Sequence, residues 1–222
     1  MTCEELHLVR SIANSLGGSI IAGWLPATGT EENFPGGFKI SADKHPNRKG
    51  AEHVLGGDLF TTSADQLKSA LSNGSIDTLV AFVGGDGFEG AGGEWNDLIS
   101  KAGKRIVFAT QQGSWCDGAD LVIPATAPLE KEGVWVNEDD RAQRTRSCRS
   151  LTSNHFPSEL VVLQELQVHM EQRNRPLSAA GIFRELSEAS DAFSGHSHSS
   201  LGDSGTPLSQ RPAAMSSEGG QL

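Results

Sequence analysis

Thr78-Leu79-Val80-Ala81-Phe82-Val83, then the loop Gly84-Gly85-Asp86-Gly87-Phe88-Glu89-Gly90, then Arg105-Ile106-Val107-Phe108-Ala109 make up the part of the chain that decides its fold. Each apolar run is short and uninterrupted, as expected of a strand buried on both faces of a parallel sheet. The residues between them, from about Glu94 to Ala102, read as a helix. Strand, helix and strand at this spacing predict a βαβ crossover. A third run, Ala119-Asp120-Leu121-Val122-Ile123, ends at Pro124. The three together predict an α/β fold built on a small doubly wound parallel sheet.

Upstream, Thr2 followed three residues later by Glu5 has the form of a capping box. Leu6, Val9, Ile12, Ala13 and Leu16 continue at helical spacing until Gly17-Gly18. Ser19-Ile20-Ile21-Ala22 reads as a short buried strand, and Gly23 to Gly50 as a long irregular loop laid over a surface. Ser63 to Leu71 has the pattern of a second helix. Downstream, Gly133-Val134-Trp135-Val136 reads as a strand. Ser158 to Met170 and Ala179 to Ser190 read as helices, the last introduced by Pro176-Leu177-Ser178. Beyond Ser194 the composition is Ser, Gly, His and Pro with almost nothing apolar, which predicts a flexible tail. The expected organisation is an α/β domain over 1–150, a helical extension over 151–193 and a flexible or docking tail over 194–222.

The 222 residues carry a formal charge of −10, are 36% hydrophobic and include 26 glycines. That charge opposes nucleic acid or an anionic membrane surface as partner. No stretch approaches the roughly 20 apolar residues that cross a bilayer, and Met1–Arg10 lacks the features of a signal peptide. A cytoplasmic location, with no direct membrane insertion, is therefore expected. Cys3, Cys116 and Cys148 are far apart in sequence. An iron–sulfur cluster or structural zinc draws on grouped ligands, so no metal and no redox cofactor is expected on this chain.

Other candidates are weighed against plainer readings. Gly85, Gly87 and Gly90 complete a G-x-G-x-x-G, the pattern that brings backbone close to a dinucleotide pyrophosphate. Asp86 and Glu89 place negative charge where the diphosphate would lie, and Thr110-Gln111-Gln112 supplies no acidic ribose ligand. A plain βα turn is the better reading, with a nucleotide-binding module as the alternative. His196, His198 and Asp203 could suggest metal capture, but in a flexible tail they read as solvated side chains. Glu130, Glu132, Glu138, Asp139 and Asp140 alternate with Lys131, Arg141 and Arg144, which suggests a solvent-facing or interface ion-pair network. Arg141, Arg144, Arg146 and Arg149 could dock an acidic partner. No serine sits on a nucleophile elbow, and no catalytic residue is assigned.

The run from Ala119 to Asn137, Ala-Asp-Leu-Val-Ile-Pro-Ala-Thr-Ala-Pro-Leu-Glu-Lys-Glu-Gly-Val-Trp-Val-Asn, resembles a hallmark of the molybdopterin oxidoreductase superfamily. There a strand ending "AD-V-LP" leads into "EK-G-F-N-E-GR-Q". Arg141 and Gln143 match that ending, whereas Asp140 stands where the family usually has Gly. Ala42-Asp43-Lys44-His45-Pro46-Asn47 through Gly50-Ala51 is similar to the "ADK-PN--GA" stretch of the large G subunit of bacterial NADH–quinone oxidoreductase (complex I). Pro176 to Leu186, Phe193-Ser194-Gly195 and Leu201 to Leu208 resemble the ending of that large subunit, which implies that 201–208 docks in the assembled protein.

The resemblance runs from about Thr2 to Leu208 and implies the later portion of a molybdopterin-oxidoreductase-like domain. In that family the iron–sulfur clusters belong to the N-terminal part, so the resemblance implies that they lie on that part or on a partner subunit, and that either the gene is split or this is a truncated reading of a longer one. The implied role is structural support of electron transfer from NADH to quinone, peripheral to the cell membrane. The implied partners are the cluster-bearing part of the same large subunit and other peripheral-arm subunits of complex I. Trp24, Phe34 and Phe38 are candidate interface anchors, with buried core as the plainer reading. A formate dehydrogenase-like molybdopterin enzyme is a second reading, in which Asn137 and Arg141 would lie near the pterin.

Overall fold

A computed structural model describes residues 1–17, 21–23, 29–42, 44–59, 64–84, 93–148, 156–171 and 178–210. The Ser19-Ile20 half of the expected first strand, the glycine loop 85–90, Trp24, Arg149 and Pro176-Leu177 lie outside the described residues.

Helix α1 (Cys3–Leu16) begins at the expected capping box: the Thr2 hydroxyl accepts from Glu5 N, and the Glu5 carboxylate accepts from Thr2 N at 2.9 Å. Gly17, at φ 67, ends it in the left-handed conformation that costs glycine least. The segment expected to be an irregular loop instead holds two elements. Strands β1 (Glu32–Asn33) and β2 (Lys39–Ile40) pair antiparallel, turning through Gly36 and Gly37 at φ 88 and 83. Helix α2 (Arg48–Leu59) follows, interrupted at Gly56. Its glycines hide the period from a sequence reading, yet Ala51, Val54 and Leu55 fall at i, i+3 and i+4 and are buried. Tertiary burial thus overrides weak propensity here.

The central unit is α/β. Helix α3 (Ala64–Ser72) precedes β3 (Thr78–Val83), α4 (Gly93–Ile99), β4 (Lys104–Ala109) and β5 (Leu121–Pro124). The three strands form a parallel sheet in the order β3-β4-β5, with Val80 opposite Ile106 and Ile106 opposite Leu121. Strand order advances in one direction only. Among the described residues nothing supplies the reversal that a doubly wound sheet requires. The expectation of burial on both faces is corrected as well. Leu79, Ala81, Val83, Val107 and Ala109 form one face, packed with Ile99 and Trp115. On the opposite face Val80 and Leu121 remain 46% and 49% exposed.

A second sheet is antiparallel: β6 (Gly133–Val136), β7 (Arg141–Thr145) and β8 (Thr206–Pro207), in that order. Helices α5 (Glu159–Glu171) and α6 (Ala179–Ala189) complete the elements. Helix α1 packs on α2, α5, α6 and β6, so residues on either side of position 150 share one core. The flexible-tail expectation does not hold for 194–210. Phe193, His196, His198 and Leu201 are buried, and β8 extends the β6–β7 hairpin as a third strand. Low hydrophobicity misled there because the segment is ordered by a few large side chains and by backbone pairing. Among the described residues no helix is long and apolar enough to cross a membrane.

Candidate functional site

Among the described residues the densest chemistry is a buried charged cluster where α1, β6, α5 and the C-terminal segment meet. Glu4, fully buried, accepts from Val134 N at 2.9 Å through one oxygen, and its other oxygen lies 2.6 Å from His198 Nε2. Glu5 faces Lys131, whose Nζ donates to both its oxygens at 3.0 and 3.1 Å. The same Nζ donates to Glu159 at 2.7 Å. Glu159 also accepts from the backbone N of Thr126 at 2.9 Å and from its hydroxyl. A lysine with two carboxylates and 8% exposure is tolerable only because every charge has partners. Burial by itself would raise the Glu159 carboxyl, but Lys131 and the Thr126 hydrogen bonds hold it below the usual carboxylate range.

Asn47 joins the same core. Its Oδ1 accepts from Val136 N at 2.7 Å and from the Cys3 thiol, and its Nδ2 donates to Met1 O at 2.8 Å. It adopts φ 61, a conformation Asn tolerates better than most residues. Burial pushes the Cys3 thiol far up, and the Glu4 charge adds to the effect.

Asn137 and Arg141 fall in the turn and first position of the β6–β7 hairpin. Asn137 Oδ1 accepts from the backbone N of Asp139 and of Arg141, at 3.0 and 2.9 Å, so its amide closes the turn. Asn137 also lines a groove of about 270 Å³ with His45, Arg48, Lys49, Trp135 and Gln143. Arg141 is not part of that groove. Its guanidinium donates to Gly205 O at 2.9 Å and pins the C-terminal segment. The two side chains are thus spent on different contacts, Asn137 on its own turn and Arg141 on the C-terminal segment. The groove is open, below the usual 300–1,000 Å³ of ligand pockets, and both Arg48 and Lys49 already face Glu52.

The histidines expected to be solvated are buried, because their segment docks rather than extends. His198 pairs with Glu4 and its ring lies 5.2 Å from that of Phe183. Neither ring nitrogen of His196 has a hydrogen-bond partner among the described residues. Asp203 instead pairs with Arg146 on the surface at 3.3 Å. Among the described residues no group of three or more His, Cys, Asp or Glu could hold a metal ion. The carboxylate-rich segment is in part the expected surface network, with Glu132–Arg144 at 2.6 Å and Asp140–His53 at 2.8 Å. Lys131, however, turns inward. Phe34 and Phe38 are 42% and 64% exposed on the β1–β2 hairpin, their rings 5.6 Å apart, so buried core is not their role.

Sequence reasoning missed Glu4 and Lys131. For Glu4 a signal was present: Glu4, Leu8 and Ile12 lie at i, i+4 and i+8 on the apolar stripe of α1. Lys131 had none, since its partners are 28 and 126 positions away. No protein-family model and no curated protein matches the chain.

Proposed function

We propose that this chain is a structural portion of the large, iron–sulfur-bearing component of a bacterial NADH–quinone oxidoreductase, supporting electron transfer without holding a redox centre. One observation carries the reading. The residues that bear the resemblance spend their polar groups on the fold: Lys131 on Glu5 and Glu159, Asn137 on its turn, Arg141 on Gly205. Gly133 belongs with them, because a Cβ there would lie 2.6 Å from Glu4 Oε2 and 2.7 Å from Thr2. Asp140, where the family pattern has Gly, adopts φ 55, a region glycine enters readily. Spending these groups on internal contacts supports the scaffold reading.

The half-covered parallel sheet points the same way. Sheets of this kind ordinarily have helices on both faces, and exposed Val80 and Leu121 leave apolar surface for another polypeptide. The doubly wound, molybdopterin-enzyme-like architecture, the cluster-bearing partner and the peripheral position at the cell membrane all belong to this proposal. The test is co-expression with a cluster-bearing polypeptide. The expected result is a stoichiometric complex whose iron resides on the partner, with the chain less aggregated than when produced alone. A purified chain that turns over NADH by itself, with bound flavin, pterin or metal, would end the proposal.

A further inference from the structure

The connection between α3 and β3 places an amide electrophile beside a backbone nucleophile. Asn73 is the one asparagine in the sequence that glycine follows. Asn73, Gly74 and Ser75 are all exposed. Asn73 Oδ1 accepts from Ser75 N at 3.0 Å, so the side chain folds back over the Gly74 peptide. Asn73 Cγ and the Gly74 nitrogen thus belong to one hydrogen-bonded ring. That nitrogen is lightly held, since its bond to Leu71 O is 3.4 Å long, more than an ordinary N–H···O bond. Gly74 has φ 71, and apart from its chain neighbours no described atom lies within 4 Å of the place a Cβ would take. Nothing shields the approach.

We infer that Asn73 is a site of spontaneous covalent modification, deamidating in the folded chain through a cyclic imide formed with Gly74. The Gly74 nitrogen gives its proton to hydroxide and attacks Asn73 Cγ, forming a new N–C bond. Negative charge develops on Oδ1, where the Ser75 N–H already donates, as the donors of an oxyanion hole do. The Cγ–Nδ2 bond breaks, and Nδ2 takes a proton from water and leaves as ammonia, returning the hydroxide. Water then opens the imide at either carbonyl. Cleavage at Cγ leaves aspartate, and cleavage at the main-chain carbonyl leaves isoaspartate, with the backbone rerouted through the side chain. Either product sets a carboxylate at the C-terminal end of α3, the negative pole of its dipole. The iso form also adds a methylene between β3 and the helix whose Leu71 packs with Trp95 and Leu98. Asn137 is a built-in contrast. It closes the same kind of turn on Asp139 N at 3.0 Å, but Glu138 follows it, and that side chain crowds the attacking nitrogen.

The test incubates the full chain near neutral pH in water enriched in the heavy oxygen isotope, with circular dichroism following the fold. The chain is then digested in ordinary water for mass spectrometry. The expected result is heavy oxygen at position 73, part of it as isoaspartate, ahead of every other asparagine including Asn137. Gly74→Ala, whose methyl obstructs the nitrogen, is expected to slow conversion by about tenfold or more. Unfolding the chain in urea is expected to change the rate by less than about tenfold, because the folded turn leaves the reacting atoms free to meet. Aspartate without isoaspartate would mean direct hydrolysis and would overturn the inference. So would an unchanged rate in Gly74→Ala, conversion of Asn137 as fast as Asn73, or a folded chain slower than the unfolded one by more than about tenfold.

Discussion

The imidazole of His198 lies 2.6 Å from the carboxylate of Glu4, joining positions 194 residues apart in a fully buried contact. It fastens the C-terminal segment onto the first turn of α1, while Glu4's other oxygen holds Val134 N of β6. Removing the imidazole strands a buried carboxylate with one partner. His198→Ala is expected to cost about 2–3 kcal/mol, the range for a hydrogen bond to a buried charge. Glu4→Gln in the His198→Ala background should recover part of that loss. Urea unfolding of the four-member cycle measures the coupling, and additivity within about 0.5 kcal/mol would show that the two do not act together.

Lys131 makes a sharper case, because two carboxylates depend on it. Lys131→Met keeps the volume and leaves Glu5 and Glu159 facing each other's charge in the core. The expected destabilisation is about 3–5 kcal/mol. A triple variant, with Glu5→Gln and Glu159→Gln added, is expected to regain most of it, since the penalty belongs to unpaired charge and not to the missing ion pair. A single variant as stable as the parent would mean that Lys131 reaches water in solution.

How much of this was legible beforehand differs from element to element. The βαβ run, the capping box at Thr2 and the helices at α5 and α6 follow from local periodicity, and each lies within a few residues of its expected place. Helix α2 was hidden by Gly50, Gly56 and Gly57, and β7 by its charged residues, because tertiary packing sets both. The docking of 194–210 depends on His198 meeting Glu4, a pairing no local pattern encodes. Asn137 was legible as a notable residue but not in its role, since an Asx-type turn and a ligand contact ask for the same side chain.

Glu159 sets an acid limit. Its folded carboxyl titrates below the ordinary value of 4.5 because Lys131 and Thr126 hold it ionised against burial. With the folded value depressed, its contribution to stability is present above the unfolded value and is lost as pH falls through the folded one. The stability gap between the parent and Glu159→Gln is therefore expected to be widest near neutral pH and to narrow below 4.5. Denaturation at pH 7 and at about pH 3 checks it. A gap that grew on acidification would contradict the assigned ion pair.

Two glycines leave no room for a side chain beside the buried cluster. A Cβ on Gly50 would overlap Asn47 Oδ1 and lie 2.8 Å from Cys3 Sγ, and one on Gly133 would press on Glu4 and Thr2. Gly50→Ala must displace Asn47 from Val136 N, so it is expected to destabilise by about 1–3 kcal/mol. Gly74→Ala serves as contrast: no described atom lies near its Cβ, and its φ of 71 makes any loss purely conformational. Thermal unfolding of the two variants separates steric from backbone cost, and equal losses would remove the close-packing explanation for Gly50.

Cys3 reports on the whole arrangement without any substitution. Its thiol is fully buried, donates toward Asn47, and is pushed far up by burial and then by the Glu4 charge, so almost no thiolate forms at neutral pH. Thiol reagents attack the thiolate and need access, and both are denied while α1 stays docked. At pH 8, Cys148, which is exposed, is expected to label promptly, whereas Cys3 should label only as fast as α1 opens from the core. Because His198 and Glu4 hold that docking, His198→Ala should accelerate labelling of Cys3 and leave Cys148 unchanged. Mass-spectrometric time courses distinguish the sites, and Cys3 labelling as fast as Cys148 in the parent chain would mean that the N-terminal helix does not reside where the charged cluster requires it.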